Sequence, residues 1–414
     1  MIMSSFAYIA CTCCGKEYKL DTWQQRCSQC RGELEVRYKF AEPGAVRKEF
    51  LSRKRSRFIL QRYSCCLPFN FKRLNPALSL GEGNTPLIRA AGSNDLGIDI
   101  YYKNEAVNPT GSFKDRGTIA GIHRAISLGV KKVGTVSTGN MAASVAAYAA
   151  RAGLECFVFV SKNIKEHKLA SIIAYNPTLV KVEGDYGELY YRSLELGMQE
   201  GVYFINSDDL FRVEGQKTAI YEICEQLNFA APDYIILPVS SGGNMAAVIK
   251  GLEEMHAVGL IDSLPQVVGV QAAGCSPIAA SFAEGELNIK RFQNPRTVAQ
   301  AIANPCPPSG RRILRKLLQG KAGFILTVTD AQILAAQKRL AKEEGIFAQP
   351  AGAAPLAALE KMVREGILKK AEKVVAIVSG SGLKDLSVIN TAEADILESD
   401  FAGLRAILKR GKGV

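Results

Sequence analysis

One lysine stands where a lysine can do covalent chemistry. Lys114 lies in KNEAVNPTGSFKDRGTIAGI, residues 103–122, which is predicted to pass from a strand, through a turn with Pro109 and Gly111, into a helix. The amino end of a helix disfavours positive charge and so lowers the pKa of an amine in its first turn. A lysine held there can form a Schiff base with a carbonyl compound. Taken alone, it would be assigned as an ordinary cationic residue on a helix.

Polar and glycine-rich segments follow other predicted strands. STGNMAAS, residues 137–144, comes directly after a strand-like run, and its hydroxyl, amide and backbone N–H groups suit a carboxylate. PVSSGGN, residues 238–244, follows an apolar run, and such a loop can hold a phosphate with backbone N–H groups. A third run ends in SGSGLKD, residues 379–385. Together these segments favour a chemical role for Lys114.

Four cysteines near the start of the chain have the spacing of a zinc site. Cys11 and Cys14 form one C-x-x-C pair, and Cys27 and Cys30 form a second. Two such turns can place four thiolates tetrahedrally around one zinc ion, which would supply folding energy to a ribbon with little core. Two alternatives stay open: the four are free cysteines on hairpin loops, or Cys13 replaces Cys11 as a ligand.

Strand-like and helix-like segments alternate after residue 85. The predicted strands are 98–103, 132–136, 156–160, 179–182, 234–238, 267–270, 324–328 and 374–378. The predicted helices are 118–128, 141–152, 165–173, 186–199, 216–227, 244–255, 330–344 and 351–363. This alternation predicts doubly wound, parallel α/β layers in two lobes with a cleft between them. The predicted domains are a zinc-ribbon-like element (1–40), a basic connector (41–85), a two-lobed core (86–400) and a basic tail (401–414).

The composition predicts a globular protein: 47% of the residues are hydrophobic and 22% are charged, which excludes disorder of the whole chain. Residues 1–75 hold 15 Lys and Arg against 6 Asp and Glu, so they carry most of the net charge of +12. Such a patch can attract nucleic acid, but a solvated face is favoured. The three histidines have no triad or metal spacing, so another group must transfer protons. Cysteine usage and the lack of a membrane-spanning apolar run predict a cytoplasmic protein.

Taken together, the motifs resemble a known family. Residues from about 80 to 390 are similar to the pyridoxal-phosphate enzymes of the tryptophan-synthase-β fold type, and most similar to threonine synthases among them. The resemblance is carried by LGEGNTPL, NPTGSFKDRG, STGN followed by AAYAARAGL, NSDDLFRVEGQKT, the glycine-rich loop before Asn244, QPAGAA and SGSGLKD. It implies two-lobed, doubly wound parallel sheets. A cysteine-rich ribbon before the catalytic part also occurs in some threonine synthases.

The resemblance implies a role for each matching residue. Lys114 would form the Schiff base and act as the catalytic acid and base, and Phe113 would line the cofactor ring. Asn140 would hydrogen-bond the phenolic oxygen of the cofactor, and Ser379 its pyridine nitrogen. The cofactor phosphate would be bound by Ser240, Ser241, Gly242, Gly243 and Asn244.

The resemblance also implies how a substrate is held. Its carboxylate would be bound by Ser137, Thr138 and Asn140. Its phosphate would be bound by Asn206, Ser207 and Arg212. The planar guanidinium of arginine suits a phosphate dianion, although Arg212 could instead pair with Glu214 or cap the following helix.

The implied activity is the conversion of O-phosphohomoserine and water to L-threonine and phosphate, by γ-elimination and β-addition. One alternative keeps the cofactor: a β-replacement enzyme or dehydratase acting on O-phosphoserine, serine or threonine. Another is a zinc-ribbon protein that binds nucleic acid and carries a degenerate core, which the intact Lys114, Asn140 and Ser379 disfavour. The predicted partners are therefore a small phospho-amino acid and, by symmetry, a second copy in a homodimer, but neither nucleic acid nor a membrane.

The chain departs from the usual threonine synthase pattern at a few positions. Met141 stands where a threonine is common, and Ser241 stands where the glycine-rich loop usually has an amide. Ser379 and Gln349 replace a threonine and a glutamate. Because Met141 and Ser241 are expected near the substrate phosphate, they bear on the identity of the substrate.

Overall fold

The described part of the chain forms two compact units, one ending at Lys384 and the other beginning at Asp385. It comprises residues 5–40, 42–52, 56–92, 97–162, 164, 169–386, 388–389, 396, 398–402 and 404–410 of a computed structural model. The strands are β1 (Ser5–Cys11), β2 (Glu17–Tyr18), β3 (Leu34–Phe40), β4 (Leu87–Arg89), β5 (Asp99–Asn104), β6 (Lys132–Val136), β7 (Glu155–Ser161), β8 (Thr178–Val182), β9 (Val202–Phe204), β10 (Tyr234–Pro238), β11 (Gln266–Ala272), β12 (Gly323–Val328) and β13 (Lys373–Val378). The α-helices are α1 (Pro43–Ser52), α2 (Ile59–Arg62), α3 (Lys114–Ser127), α4 (Asn140–Ala152), α5 (Ala170–Ile173), α6 (Tyr186–Glu200), α7 (Leu210–Gln216), α8 (Thr218–Gln226), α9 (Gly243–Ala257), α10 (Pro277–Ala283), α11 (Gly310–Leu318), α12 (Asp330–Glu344), α13 (Pro350–Arg364) and α14 (Leu404–Arg410).

Two sheets form the frame of the first unit. The larger has the strand order β12-β11-β10-β13-β5-β4 and is parallel except for its antiparallel edge strand β4. The smaller has the order β8-β7-β6-β9 and is entirely parallel. All eight predicted strands are present, and the predicted α/β fold class is confirmed. Of the predicted helix 165–173, residues 165–168 lie outside the described residues.

Three helices begin where strands of these sheets end. The chain leaves β5 for α3, β6 for α4, and β10 for α9. Because the carboxyl ends of parallel strands share one edge of a sheet, loops that follow them meet at that edge, where ligands bind in open α/β sheets. At the start of α9, Gly242 adopts a φ of +96°, a left-handed conformation that favours glycine.

A small antiparallel sheet of order β2-β1-β3 forms the N-terminal element. Ile9 and Leu34 of this sheet belong to one buried apolar cluster with Leu210 and Phe211 of α7. The element therefore packs directly against the helix that carries Arg212.

The segment predicted to be a basic connector also packs against the core. Its residues Val46, Phe50 and Tyr63 are buried, and the rings of Phe50 and Tyr63 lie 5.6 and 5.2 Å from that of Tyr221 in α8. Residues 53–55, which hold three of its cations, lie outside the described residues. Among the helices that the structure describes, none combines the length and apolarity needed to cross a membrane.

Candidate active site

Lys114 opens α3, and hydrogen bonds fasten its turn to the end of β13. The backbone N–H of Phe113 donates to the carbonyl of Ser379 at 3.1 Å, and that of Ser381 donates to the carbonyl of Gly111 at 2.9 Å. The Nζ atom of Lys114 lies 4.3 Å from the centroid of the Phe113 ring. The residues predicted to form the Schiff base, line the ring and meet the ring nitrogen are therefore neighbours.

The environment of Lys114 favours its neutral amine. Burial, and secondly the guanidinium of Arg212, lower the pKa of this amine to about 7, whereas a lysine in water has a pKa of about 10.4. Arg212 lies beneath the turn: its Nη1 donates to the hydroxyl of Thr118 at 2.7 Å, and its Nη2 lies 3.4 Å from the carbonyl oxygen of Lys114. The neutral form is the one that attacks a carbonyl carbon.

Asn140 reaches the same place from the smaller sheet. It is the first residue of α4, and its Nδ2 donates to Oε1 of Gln349 at 3.1 Å. The backbone N–H of Gln349 in turn donates to the carbonyl of Gly380 at 3.0 Å. A Cβ atom at Gly380 would lie 2.6 Å from Nε2 of Gln349. The lack of a side chain at Gly380 therefore allows Gln349 to approach both Gly380 and Asn140. The sequence analysis did not predict this contact, whose partners are 209 residues apart.

The glycine-rich loop packs against Ser207. A Cβ atom at Gly243 would lie 2.5 Å from the carbonyl oxygen of Ser207, which no side chain tolerates. Beside it, the hydroxyl of Ser241 accepts a hydrogen bond from Nδ2 of Asn304 at 3.0 Å. Because α9 begins at Gly243, the first N–H groups of this helix lack intrahelical acceptors and can bind an anion. The other predicted residues at these strand ends are half-buried: Ser137, Thr138, Ser240 and Asn244.

Arg212 is a buried guanidinium whose Nε has no hydrogen-bond partner among the described residues. Burial lowers the pKa of this group to about 10, although the carboxylates of Asp209 and Asp115 act in the opposite direction. Glu214, the alternative partner considered above, pairs with Lys217 instead. A buried guanidinium with an unused N–H group suits an oxyanion.

Asn206 and Ser207, the other two residues predicted to bind the substrate phosphate, differ in accessibility. The amide of Asn206 is buried: its Oδ1 accepts from the N–H of Val136 at 2.9 Å, and its Nδ2 donates to Oγ of Ser193 at 3.2 Å. These bonds tie the residue to the end of β6. Ser207 lines a cleft, whose other lining residues include Tyr190, Tyr191, Ser241, Arg291, Asn304 and Cys306.

A buried ion network supports α3, and the sequence analysis did not predict it. Arg116 pairs with Glu105 and with Glu222 of α8, at 2.7 Å each, and Lys103 pairs with Glu222 at 3.0 Å. Burial alone would raise the pKa of the Glu105 and Glu222 carboxyl groups. The guanidinium of Arg116 outweighs this effect, so both pKa values are lowered. Two acids and two cations thus balance, and they hold the helix that begins at Lys114 against α8.

The four predicted zinc ligands converge. The Sγ atoms of Cys11, Cys14, Cys27 and Cys30 all lie within 4.8 Å of one another. Those of Cys11 and Cys30 are 3.5 Å apart, and those of Cys14 and Cys27 are 3.6 Å apart. Tetrahedral Zn–S bonds of about 2.3 Å require S···S separations of roughly 3.8 Å, so this cluster can hold a zinc ion. Cys13 is exposed and outside the group, so the geometry favours Cys11.

Cys27→Ser is expected to lower the zinc content of the purified chain at least about tenfold, because it removes one of four convergent sulfurs. Elemental analysis of the wild type should give one zinc ion per chain. Cys13→Ser is the matched control and should keep its zinc. Equal zinc in Cys27→Ser and the wild type would contradict the assignment.

The chain is similar to known proteins over most of its length. A model of the family described as "Pyridoxal-phosphate dependent enzyme" matches residues 78–380. The threonine synthase of Methanocaldococcus jannaschii is 41% identical over 404 residues, which are 96% of this chain and 98% of that protein. The threonine synthase of Methanosarcina acetivorans is 36% identical over 411 residues, with coverages of 98% and 100%. The chain belongs to the threonine synthase family. The predicted family and its class, pyridoxal-phosphate-dependent lyases, are confirmed.

The fold of this chain is similar to those of other solved enzymes. Maize serine racemase superposes with a TM-score of 0.62 at 21% identity, over 79% of this chain and 92% of the racemase. The processed form of threonine deaminase isoform 2 from Solanum lycopersicum superposes with a TM-score of 0.61 at 23% identity, over 79% and 83% of the two chains. At these identities the likeness concerns the fold, and the predicted fold type is confirmed.

The site fits the cofactor of the threonine synthase family. An aldehyde requires a neutral amine, and burial provides one at Lys114. A phosphate requires backbone N–H groups and room to approach them, which the start of α9 offers at Gly242 and Gly243. The amide of Asn140 and the hydroxyl of Ser379 are the polar groups at the adjoining strand ends.

The pKa of Lys114 predicts how the cofactor-free chain takes up pyridoxal phosphate. Because only the neutral amine reacts and the pKa is lowered to about 7, the uptake rate should rise with pH up to about 7 and then level off. Stopped-flow absorbance of the aldehyde, measured from pH 5 to 10, records this profile. A rate that still rises tenfold per unit between pH 8 and 10 would contradict the lowered pKa.

Proposed function

We propose that this chain converts O-phosphohomoserine and water to L-threonine and phosphate. The observation that carries the proposal is the buried guanidinium of Arg212. It has an unused N–H group and lies within 3.4 Å of the turn that bears Lys114. The negative phosphate of a substrate would neutralise this positive charge, and the reacting carbons of the substrate would lie near the lysine. The threonine synthases that match nearly the whole chain support the same reaction.

The cofactor would be held by the residues that the motifs indicated. When bound, pyridoxal phosphate supplies a sink for the electrons that develop at the substrate Cα. Lys114 would hold its aldehyde carbon, Phe113 would line its ring, and Asn140 and Ser379 would hydrogen-bond its polar ring atoms. Its phosphate would be bound by Ser240, Ser241, Gly242, Gly243 and Asn244.

Lys114 moves the protons. Its neutral Nζ removes a proton from Cα of the substrate and then one from Cβ, and it gives a proton to Cγ. Phosphate leaves from Cγ, and water adds its hydroxyl group to Cβ while its remaining proton passes to the released phosphate. A proton returned to Cα completes L-threonine, so atoms and charge balance over the whole reaction.

The substrate would be bound at both of its ends. Its carboxylate would be bound by Ser137, Thr138 and Asn140. Its phosphate would contact Ser207 and Arg212, whose charge stabilises the leaving group as it departs. Asn206, whose amide is bonded to Val136 and Ser193, would contribute by holding Ser207 in place.

The proposal extends to the organisation and setting of the chain. The domains are the ribbon at 1–40, the connector at 41–85, the core at 86–400 and the tail at 401–414. The zinc ion is structural, and the chain works as a cytoplasmic homodimer that binds no nucleic acid. Cysteine usage typical of a reducing compartment and the prevalence of twofold oligomers support this setting.

A phosphate-release assay over a panel of amino acids tests the activity. The holoenzyme should release phosphate from O-phosphohomoserine and form an equal amount of L-threonine, measured by amino-acid chromatography. O-phosphoserine, which is shorter by one carbon, should release little. Release from O-phosphoserine alone would instead indicate β-replacement chemistry and overturn the proposal.

A further inference from the structure

We propose that the zinc ribbon, residues 5–40, positions the substrate-phosphate segment, residues 206–212, and that Arg26 is the principal positioning residue. The inference rests on the proposed function for the role of that segment. It assigns to the ribbon a part in substrate binding, beyond holding its own metal.

The segment divides its residues between two sides. Ser207 lines the cleft, and Arg212 contacts the turn of Lys114. The four residues between them, 208–211, all contact the ribbon or share its apolar cluster. Ser207 and Arg212, which would bind the phosphate, thus flank four residues that contact the ribbon or pack with it.

Arg26 forms the most direct link. Its guanidinium makes an ion pair with Asp208, the residue after Ser207, and stands over the ring of Tyr191 at 5.4 Å from the ring centroid. The side chains of Arg26 and Asp208 are only 18% and 6% exposed, so solvent screens this pair weakly. Tyr191 also lines the cleft. One ribbon side chain therefore contacts Tyr191, which lines the cleft, and Asp208, which follows the lining residue Ser207.

Gln25 holds the start of the helix that carries Arg212. Its Nε2 donates to the carbonyl of Phe204 at 2.6 Å and lies 3.5 Å from Oδ2 of Asp209. The other oxygen of Asp209 accepts from the backbone N–H groups of Phe211 and Arg212, at 3.1 and 3.0 Å, and so caps α7. The ribbon thereby contacts the cap that sets where this helix begins.

The metal turns place these side chains. Gln25 and Arg26 immediately precede the ligand Cys27, and the buried Cys11 and Cys27 lie in the same apolar cluster as Leu210 and Phe211. A zinc ion that fixes the four sulfurs fixes the backbone at residue 27. Loss of the ion would release the ion pair, the cap contact and the packing together.

Hydrogen exchange of the zinc-loaded holoenzyme tests the coupling directly. Arg26→Ala should speed amide exchange in residues 206–212 at least about fivefold, and calorimetry should show about tenfold weaker binding of inorganic phosphate. Its zinc content should stay at the wild-type level, because Arg26 is not a ligand. Arg26→Lys should recover part of both effects, since it keeps the charge.

Arg31→Ala is the matched control. Arg31 follows the ligand Cys30 and pairs with Glu195 of α6, but both partners are largely exposed and neither belongs to the segment. Exchange and phosphate binding should therefore stay as in the wild type. If Arg26→Ala leaves either readout unchanged, or if Arg31→Ala changes them equally, the inference is overturned.

These readouts separate the inference from the proposed function. Amide exchange and phosphate calorimetry need no turnover. A wild type that releases no phosphate from O-phosphohomoserine would overturn the proposed reaction. Faster amide exchange in Arg26→Ala would still support the inference that the ribbon positions residues 206–212. Removal of zinc with a chelator should reproduce the faster exchange, and unchanged exchange would count against the role of the metal.

Discussion

Lys114→Ala is expected to abolish the release of phosphate from O-phosphohomoserine, lowering kcat by at least about 10⁴-fold. The substitution removes the amine that is proposed to hold the cofactor and to act as the base at the substrate carbons. The nearby Arg212 cannot replace it as a base, because its guanidinium stays protonated at neutral pH. Phosphate release by the purified variant, in the presence of excess pyridoxal phosphate, measures the loss.

The control for this variant is a lysine outside the site. Lys361 of α13 is half-buried and donates to the carbonyl of Thr327 at 3.2 Å, and Lys361→Ala should keep kcat within about threefold of the wild type. Both variants should keep their zinc and their circular dichroism spectra. A Lys114→Ala rate near that of the wild type would refute the catalytic role of Lys114.

Arg212→Gln is expected to lower kcat/KM for O-phosphohomoserine by about 10²- to 10³-fold. The variant loses the buried positive charge that is proposed to lie next to the leaving phosphate, while glutamine keeps a polar side chain at this position. Because that charge also lowers the pKa of Lys114, the plateau in cofactor uptake should move to higher pH. Initial rates and the stopped-flow profile measure the two effects.

Binding of a ligand that has no phosphate group distinguishes loss of phosphate binding from damage to the whole active site. L-threonine needs the carboxylate site but not Arg212, so its binding, followed by the absorbance of the bound cofactor, should change by less than about threefold in Arg212→Gln. If L-threonine and O-phosphohomoserine weaken equally, Arg212 has a structural role only.

Features with a local pattern could be predicted from the sequence. The predicted runs at 132–136 and 234–238 match strands β6 and β10 without a shift, because the residues after the first one in each run are all buried, as in parallel strands that are covered on both faces. The spacing of the four cysteines predicted their convergence, since two C-x-x-C turns can present sulfurs to one point. By contrast, β4 and β9 have only three residues each, too few to leave a periodic signal.

Features made by distant contacts could not be predicted. Nothing local to Asn206 indicates that its amide would bond to Val136, seventy residues earlier, or that Gln349 would meet Asn140. From the local sequence, Glu105 and Arg116 would be predicted to lie at the surface. They are buried because the fold brings Glu222 beside Arg116. The contact of Arg26 with Asp208 joins residues 182 positions apart, so only the tertiary structure reveals that the ribbon touches the site.

The close approach of Gly243 to Ser207 shows where directed evolution of this enzyme can succeed. A side chain at position 243 would push the glycine-rich loop away from Ser207, since only 2.5 Å would separate its Cβ from the Ser207 carbonyl oxygen. Ser241 offers the opposite case, because its side chain lies at the cleft beside Asn304. A mutant library that keeps Gly243 and varies Ser241 with Asn304 would reshape the pocket for other leaving groups while the backbone beneath stays intact.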